Sequence, residues 1–154
     1  MAEKIGIRPA SVTVYNGKVL LVRSEYHREE FYLFPGGGLE FGETIEEGVI
    51  RETLEETGVK IKIKQLMHVN EYIYRNDFSK RSITPFFLAE VDGESKINPQ
   101  TNDGNKIKEA LWVNIEDLEK IDVRPKIIAE SLRLDLQKEF FHIKPYSVDF
   151  NDKK

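Results

Sequence analysis

Residues 34–59 read FPGGGLEFGETIEEGVIRETLEETGV, and no other stretch constrains the chain as tightly. It opens on a glycine turn, Pro35-Gly36-Gly37-Gly38, and runs into a helix whose limits are set by side-chain chemistry. Thr44 is an N-cap residue with Glu47 three positions on, the spacing at which the two satisfy each other's orphan amides. Gly58 suits the position after the last turn, because it adopts a positive φ at little cost. The helix between these caps has about 13 residues, a usual length.

At about 100° per residue, Ile45, Val49, Ile50, Thr53 and Leu54 cover one half of this helix. Glu52, Glu55 and Glu56 share an arc of about 100° on the other half, and Gly48 falls inside it. A mid-helix glycine costs about 1 kcal/mol relative to alanine, so something is expected to approach the backbone there. Carboxylates at i, i+3 and i+4 repel one another by a few tenths of a kcal/mol per pair, roughly, even when solvated. Hard oxygen ligands so placed select Mg²⁺ or Mn²⁺. The bland alternative is a solvated acidic face, which the triplet alone would favour; turn, cap and triplet together shift the balance.

This stretch resembles the Nudix box, G-x5-E-x7-R-E-U-x-E-E-x-G-U with U aliphatic. Gly37, Glu43, Arg51, Glu52, Glu55, Glu56, Gly58 and Val59 stand at its defined positions over residues 37–59. Thr53 is the single departure, at a U position, where its methyl is expected to pack at a small cost in stability. The resemblance implies an α/β (α+β) domain over 1–154, a mixed β-sheet sandwiched between helices. It implies Mg²⁺-dependent (or Mn²⁺-dependent) hydrolysis of a phosphoanhydride in a nucleoside diphosphate linked to another moiety. Carried over position by position, it gives the Gly36 carbonyl, Glu52, Glu55 and Glu56 as metal ligands. Glu52 is also a candidate general base, and Glu43 and Arg51 become a supporting pair. It also points to a further carboxylate, with Asp103 and Glu109 both open. A non-catalytic nucleotide-sensing domain and an RNA 5′-end binder are the competing readings. Intact box glutamates argue against the first.

The remaining composition narrows the class. A formal net charge of −4 with interspersed signs argues against a nucleic-acid or membrane-surface footprint. The absence of cysteine excludes disulfides, thiolate nucleophiles and cysteine zinc sites, and it counts against the cysteine-dependent isomerase branch of the resembled superfamily. No leader or membrane-length apolar run is evident, so the expected location is the cytoplasm. The expected partner is a small nucleotide, and whether the chain forms a homodimer stays open.

Along the chain, 11–15 and 18–22 flank Asn16-Gly17, the strongest two-residue hairpin signal. Arg23 closes the second strand and is a candidate phosphate contact. Residues 24–32 read as a charged loop, with His27 solvated and Phe31 and Phe34 as core anchors. Alternation predicts strands over 59–75 and 81–91, with Pro85 marking an edge or bulge. Tyr72, Tyr74 and Arg75 are candidates to line a nucleotide pocket, although aromatics are common in strands anyway. A proline about 15 residues past the box, the mark of ADP-ribose hydrolases in the resembled family, is absent; Tyr74 stands there. A nucleoside triphosphate or small nucleotide is therefore the leading substrate, and ADP-ribose or a nucleotide sugar the alternative. Residues 92–108 read as a long loop, 109–113 as a strand, and Asn114 as the cap of a short helix. A final helix is expected over about 125–139, with Ile128, Leu132 and Leu136 facing the sheet. The tail, 140–154, is left to pack on the core, reach a partner or fray.

Overall fold

The computed structural model describes residues 4–77, 80–99, 107–134 and 145–151. Its elements, in chain order, are β1 (Lys4–Ile7), β2 (Ala10–Tyr15), β3 (Lys18–Tyr26), β4 (Glu29–Leu33), α1 (Ile45–Thr57), β5 (Ile61–Tyr74), β6 (Lys80–Val91) and β7 (Ile107–Asn114). A 3-10 turn (Ile115–Lys120), β8 (Val123–Arg124), α2 (Lys126–Leu134) and β9 (Tyr146–Asn151) follow.

The strands form one mixed sheet in the order β8-β4-β3-β2-β6-β5-β9, with β1 added to β6 and β7 to β3. Alternation along β2 shows how helices come to lie on both faces. Ala10 and Val12 join an apolar cluster with Ile128, Ala129 and Leu132 of α2 and with Ile115 and Leu118 of the 3-10 turn. Ser11, between them, points the other way and bonds to Thr53 of α1. Leu20 of β3, Val49 of α1 and Phe87 of β6 belong to a second cluster on that side. The fold is thus a mixed α+β arrangement, a curled sheet between α1 and the α2 layer.

The Asn16-Gly17 turn is present, with φ of 49° and 73° at its two residues. The charged segment 24–32 is not a loop. β3 continues to Tyr26 and returns as β4 through His27 and Arg28, whose φ values of 49° and 66° make a second tight turn. Neither residue carries the usual turn signature, and Arg23 therefore lies inside β3 rather than at its end. Phe34 is buried and meets Phe86 edge-on at 5.8 Å. Phe31 is only half-buried, under the Arg124 guanidinium at 4.2 Å.

Pro85 marks neither an edge nor a bulge of its own strand. β6 is interior, and Pro85 falls where pairing passes from β1, which ends opposite Ile83, to β2, which begins opposite Phe86. A missing amide costs nothing in that gap. The irregularities lie in β5, between Ile63 and Gln65 and between Leu66 and His68. Asn114 does not cap the following turn through its side chain; its amide reaches Asp117 Oδ2 at 3.4 Å instead. α2 starts at Lys126, one residue after Pro125, and the expected extension through Leu136 to 139 lies outside the described residues. Part of the tail forms β9, which lies parallel to β5 from Val69↔Tyr146 to Tyr74↔Asn151.

Candidate active site

The helix caps fall where the chemistry puts them. The Thr44 hydroxyl accepts from the Glu47 amide at 3.1 Å, the Glu47 carboxylate accepts from the Thr44 amide at 3.4 Å, and Gly58 has φ 76°. With both ends fixed, packing decides which face is covered. The buried residues are Gly48, Val49, Thr53, Glu56 and Thr57. Glu56, at 7% exposure, therefore lies under the helix instead of on its solvent half, while Ile45 is exposed. Beside the sheet, α1 has a second neighbour, the glycine loop, which packs against Gly48 and Glu52. A Cβ on Gly48 would meet Leu39 Cδ1 at 2.8 Å and Glu43 Oε1 at 3.1 Å, which accounts for the mid-helix glycine.

The loop is itself anchored to the sheet. Gly36 bridges Ala10, with the Ser11 amide donating to Pro35 O at 2.8 Å and the Gly37 amide to Pro9 O at 3.2 Å. Bonds on either side of a residue leave its own amide and carbonyl directed away from the partner strand. The Gly36 carbonyl is so directed. Next to it, a Cβ on Gly37 would meet the Glu52 carboxyl carbon at 2.5 Å, so only glycine admits that carboxylate against the loop.

Arg51 is the electrostatic centre. Its Nε and Nη2 donate to the two Glu43 oxygens at 3.0 and 2.8 Å, a two-point grip. Nη2 also donates to Gly38 O at 3.1 Å, and Nη1 to Glu52 Oε1 at 2.9 Å and Glu55 Oε2 at 3.4 Å. Glu40 stands 3.7 Å away. The hydrogen bonds from Arg51, with that of the Glu40 amide, hold the Glu43 carboxyl down at about 2. Arg51 is pushed well above the usual arginine range, chiefly by Glu43.

One guanidinium thus serves four carboxylates, and the cluster keeps a negative excess. Hard oxygens, an excess of negative charge and a glycine cradle for Glu52 fit a divalent cation in chemical type. Among the described residues, however, no three acidic or imidazole side chains converge as a bound ion would require. Glu52 and Glu55 are turned onto Arg51 instead.

The other candidates lie elsewhere. Arg23 bonds to Glu30 at 2.8 Å and to Glu109 at 3.0 Å across three adjacent strands. Burial works against its charge, but the two glutamates outweigh it and raise its pKa. Glu109 is thus committed to Arg23, and Asp103 lies outside the described residues. Tyr72 and Tyr74 meet edge-on at 4.9 Å. Arg75 lies 4.1 Å over the Phe150 ring of β9. Two participants escaped the sequence reading: Ser11, hidden in an apolar strand, and Glu40, one more glutamate in a loop. For Ser11 the signal was present, since Ser11 and Thr13 alternate with Ala10, Val12 and Val14.

Comparison with known proteins agrees with this geometry. The family model described as the NUDIX domain matches residues 7–133. A Methanocaldococcus jannaschii protein named ADP-ribose pyrophosphatase is 32% identical over 120 residues, covering 77% of this chain and 68% of the relative. A Salmonella heidelberg protein named NAD-capped RNA hydrolase NudC is 33% identical over 101 residues; the match covers 65% of this chain and only 35% of that protein. In fold, the chain is similar to a MutT protein from Bacillus halodurans, with TM-score 0.70, 20% identity, and 94% and 89% of the two chains covered. A MutT NUDIX hydrolase from Burkholderia pseudomallei gives TM-score 0.67 at 22% identity, with 82% and 96% covered. A family match over most of the chain, together with a box whose loop and helix are locked as the residues require, leads to one conclusion: the chain belongs to the Nudix family and is a Nudix hydrolase.

Proposed function

We propose that this hydrolase cleaves a phosphoanhydride bond in a nucleoside diphosphate linked to another group, with Mg²⁺ or Mn²⁺ as cofactor. The observation that carries the reading is the Arg51 cluster, in which four carboxylates from the loop and from α1 share one guanidinium. Glu52, Glu55, Glu56 and the Gly36 carbonyl would hold the cation. When bound, a divalent ion draws charge from phosphate oxygens and makes nearby water more acidic.

The chain's own groups have distinct tasks. The Glu52 carboxylate, lodged against the Gly37 backbone, takes the proton of the attacking water. The water oxygen bonds to phosphorus, the bridging P–O bond breaks, and the displaced phosphate leaves as an anion. Glu43 and Arg51 clamp loop to helix. That support matters because a misplacement of about 1 Å costs about a hundredfold in rate.

The Methanocaldococcus relative makes ADP-ribose the first compound to test. Tyr74, at the place of the expected proline, keeps nucleoside triphosphates beside it. The deciding experiment incubates the protein with ADP-ribose, nucleoside triphosphates, nucleotide sugars and dinucleotides. Each is assayed with Mg²⁺, with Mn²⁺ and with excess chelator. Release of a nucleoside monophosphate, abolished by chelator, is the expected result. No turnover of any compound with metal present would remove the reading.

A further inference from the structure

We propose that Ser11 and Thr53 act as a positioning pair that fixes where the box carboxylates stand against the glycine loop; this rests on the hydrolytic reading above. Thr53 is the one box position where this chain departs from an aliphatic residue. Its side chain is fully buried, and so is that of Ser11. The two hydroxyls bond to each other at 2.8 Å, joining α1 to β2. The substitution is therefore one half of a matched polar pair.

Ser11 holds both halves of the box. Its side chain binds the helix, and its amide binds Pro35 O, immediately before Gly36. Apolar neighbours such as Val49 and Leu20 oppose separation of helix and sheet, but they are indifferent to small rotations of α1 about its axis. A hydrogen bond is directional and resists such rotation. Rotation matters here because Glu52 is the residue before Thr53. Its carboxyl atoms lie 2.5–2.7 Å from where a Gly37 Cβ would stand, which leaves no slack toward the loop. The same turn is closed locally: the Thr57 hydroxyl donates to Thr53 O at 2.6 Å and accepts from the Val59 amide at 3.1 Å.

The test compares Thr53→Val, Ser11→Ala, the double variant and Thr53→Ser. Each is assayed for melting temperature, kcat, KM and the Mg²⁺ concentration giving half-maximal rate. Each single apolar change strands a buried hydroxyl and lowers the melting temperature, and the double variant, with no orphan, regains most of it. If the pair positions the carboxylates, the double variant still shows kcat reduced by about tenfold and a raised Mg²⁺ requirement, with KM little changed. Thr53→Ser keeps the bond and stays near wild-type kcat. A double variant with wild-type kcat and wild-type Mg²⁺ dependence overturns the proposal. So does a Thr53→Ser variant as slow as Thr53→Val, a comparison that stands even if the double variant does not fold. A wild-type protein without metal-dependent turnover would instead defeat the hydrolytic reading itself.

Discussion

α1 and α2 lie on opposite faces of one sheet and are held by different balances of force. α2 buries Ile128, Ala129 and Leu132, all apolar, into a cluster shared with β2, β3, β6 and the 3-10 turn. α1 buries Gly48, Val49, Thr53, Glu56 and Thr57, of which only Val49 is a sizeable hydrocarbon. What α1 lacks in apolar contact it makes up in directed bonds to sheet and loop: Ser11 to Thr53, and Arg51 to Glu43 and Gly38. Hydrophobic burial stabilises without fixing orientation, whereas charged and hydroxyl pairs fix orientation for a modest net gain. The face proposed to perform chemistry needs its side chains placed, and the opposite face needs only to hold.

The sharpest way to break this contrast is to alter the proposed reacting group and leave its supports intact. Glu52→Gln keeps size and one oxygen able to accept from Arg51, but it removes the charge and turns the other oxygen into an amide donor. A drop in kcat of about a thousandfold is expected, with a melting temperature close to wild type. If the variant turns over substrate at the wild-type rate in steady-state assays, the assignment of the base to Glu52 fails. Leu132→Ala attacks the other face. Its side chain is fully buried, so the loss should be about 3 kcal/mol of unfolding free energy by denaturant titration, with kcat per folded molecule unchanged. A lowered kcat at full folding would show that the two faces are coupled.

Arg51→Lys probes the clamp between them in magnitude. Lysine keeps the charge but has no fork to grip both Glu43 oxygens. About 2 kcal/mol of stability should be lost, with a reduced rate and a shifted Mg²⁺ requirement. Equal stability of the two proteins would mean that charge alone suffices there.

The contrast also explains what could be read from the sequence. Thr44, Glu47 and Gly58 delimit α1 because cap chemistry is local to a few residues. Asn16-Gly17 marks its turn for the same reason. His27-Arg28 makes an equally tight turn without a local signal, since the pairing of Arg23 with Tyr32 and Ser24 with Phe31 on either side imposes it. Pro85 misled because its missing amide matters only relative to neighbours contributed by β1 and β2, distant in sequence. In the site, box spacing gave the carboxylates and the glycines. That Arg51 gathers Glu40, Glu52 and Glu55 as well as Glu43 depends on how the loop folds back. Burial of Glu56 could not follow from a helical wheel, which places side chains around an axis without saying what packs against each of them.

The remaining expected effect concerns acid. In the folded protein the Glu43 carboxyl sits at about 2, below its ordinary 4.5, because Arg51 and the Glu40 amide favour its ionised form. A depressed carboxylate contributes stability that is fully present above its unfolded value and is lost as pH falls through the folded one. The contribution of Glu43 should therefore be constant above about pH 5 and decline between 4.5 and 2. Melting temperatures of the wild type and Glu43→Gln, followed from pH 7 to pH 2, isolate it. The two curves should run parallel above pH 5 and converge below, as protonation removes from the wild type what the variant already lacks. Curves that stay parallel to pH 2 would mean that Glu43 titrates alike in the folded and unfolded chains. The α1 face would then owe its placement to the Ser11–Thr53 bond and the backbone anchors of the loop rather than to the Glu43–Arg51 clamp.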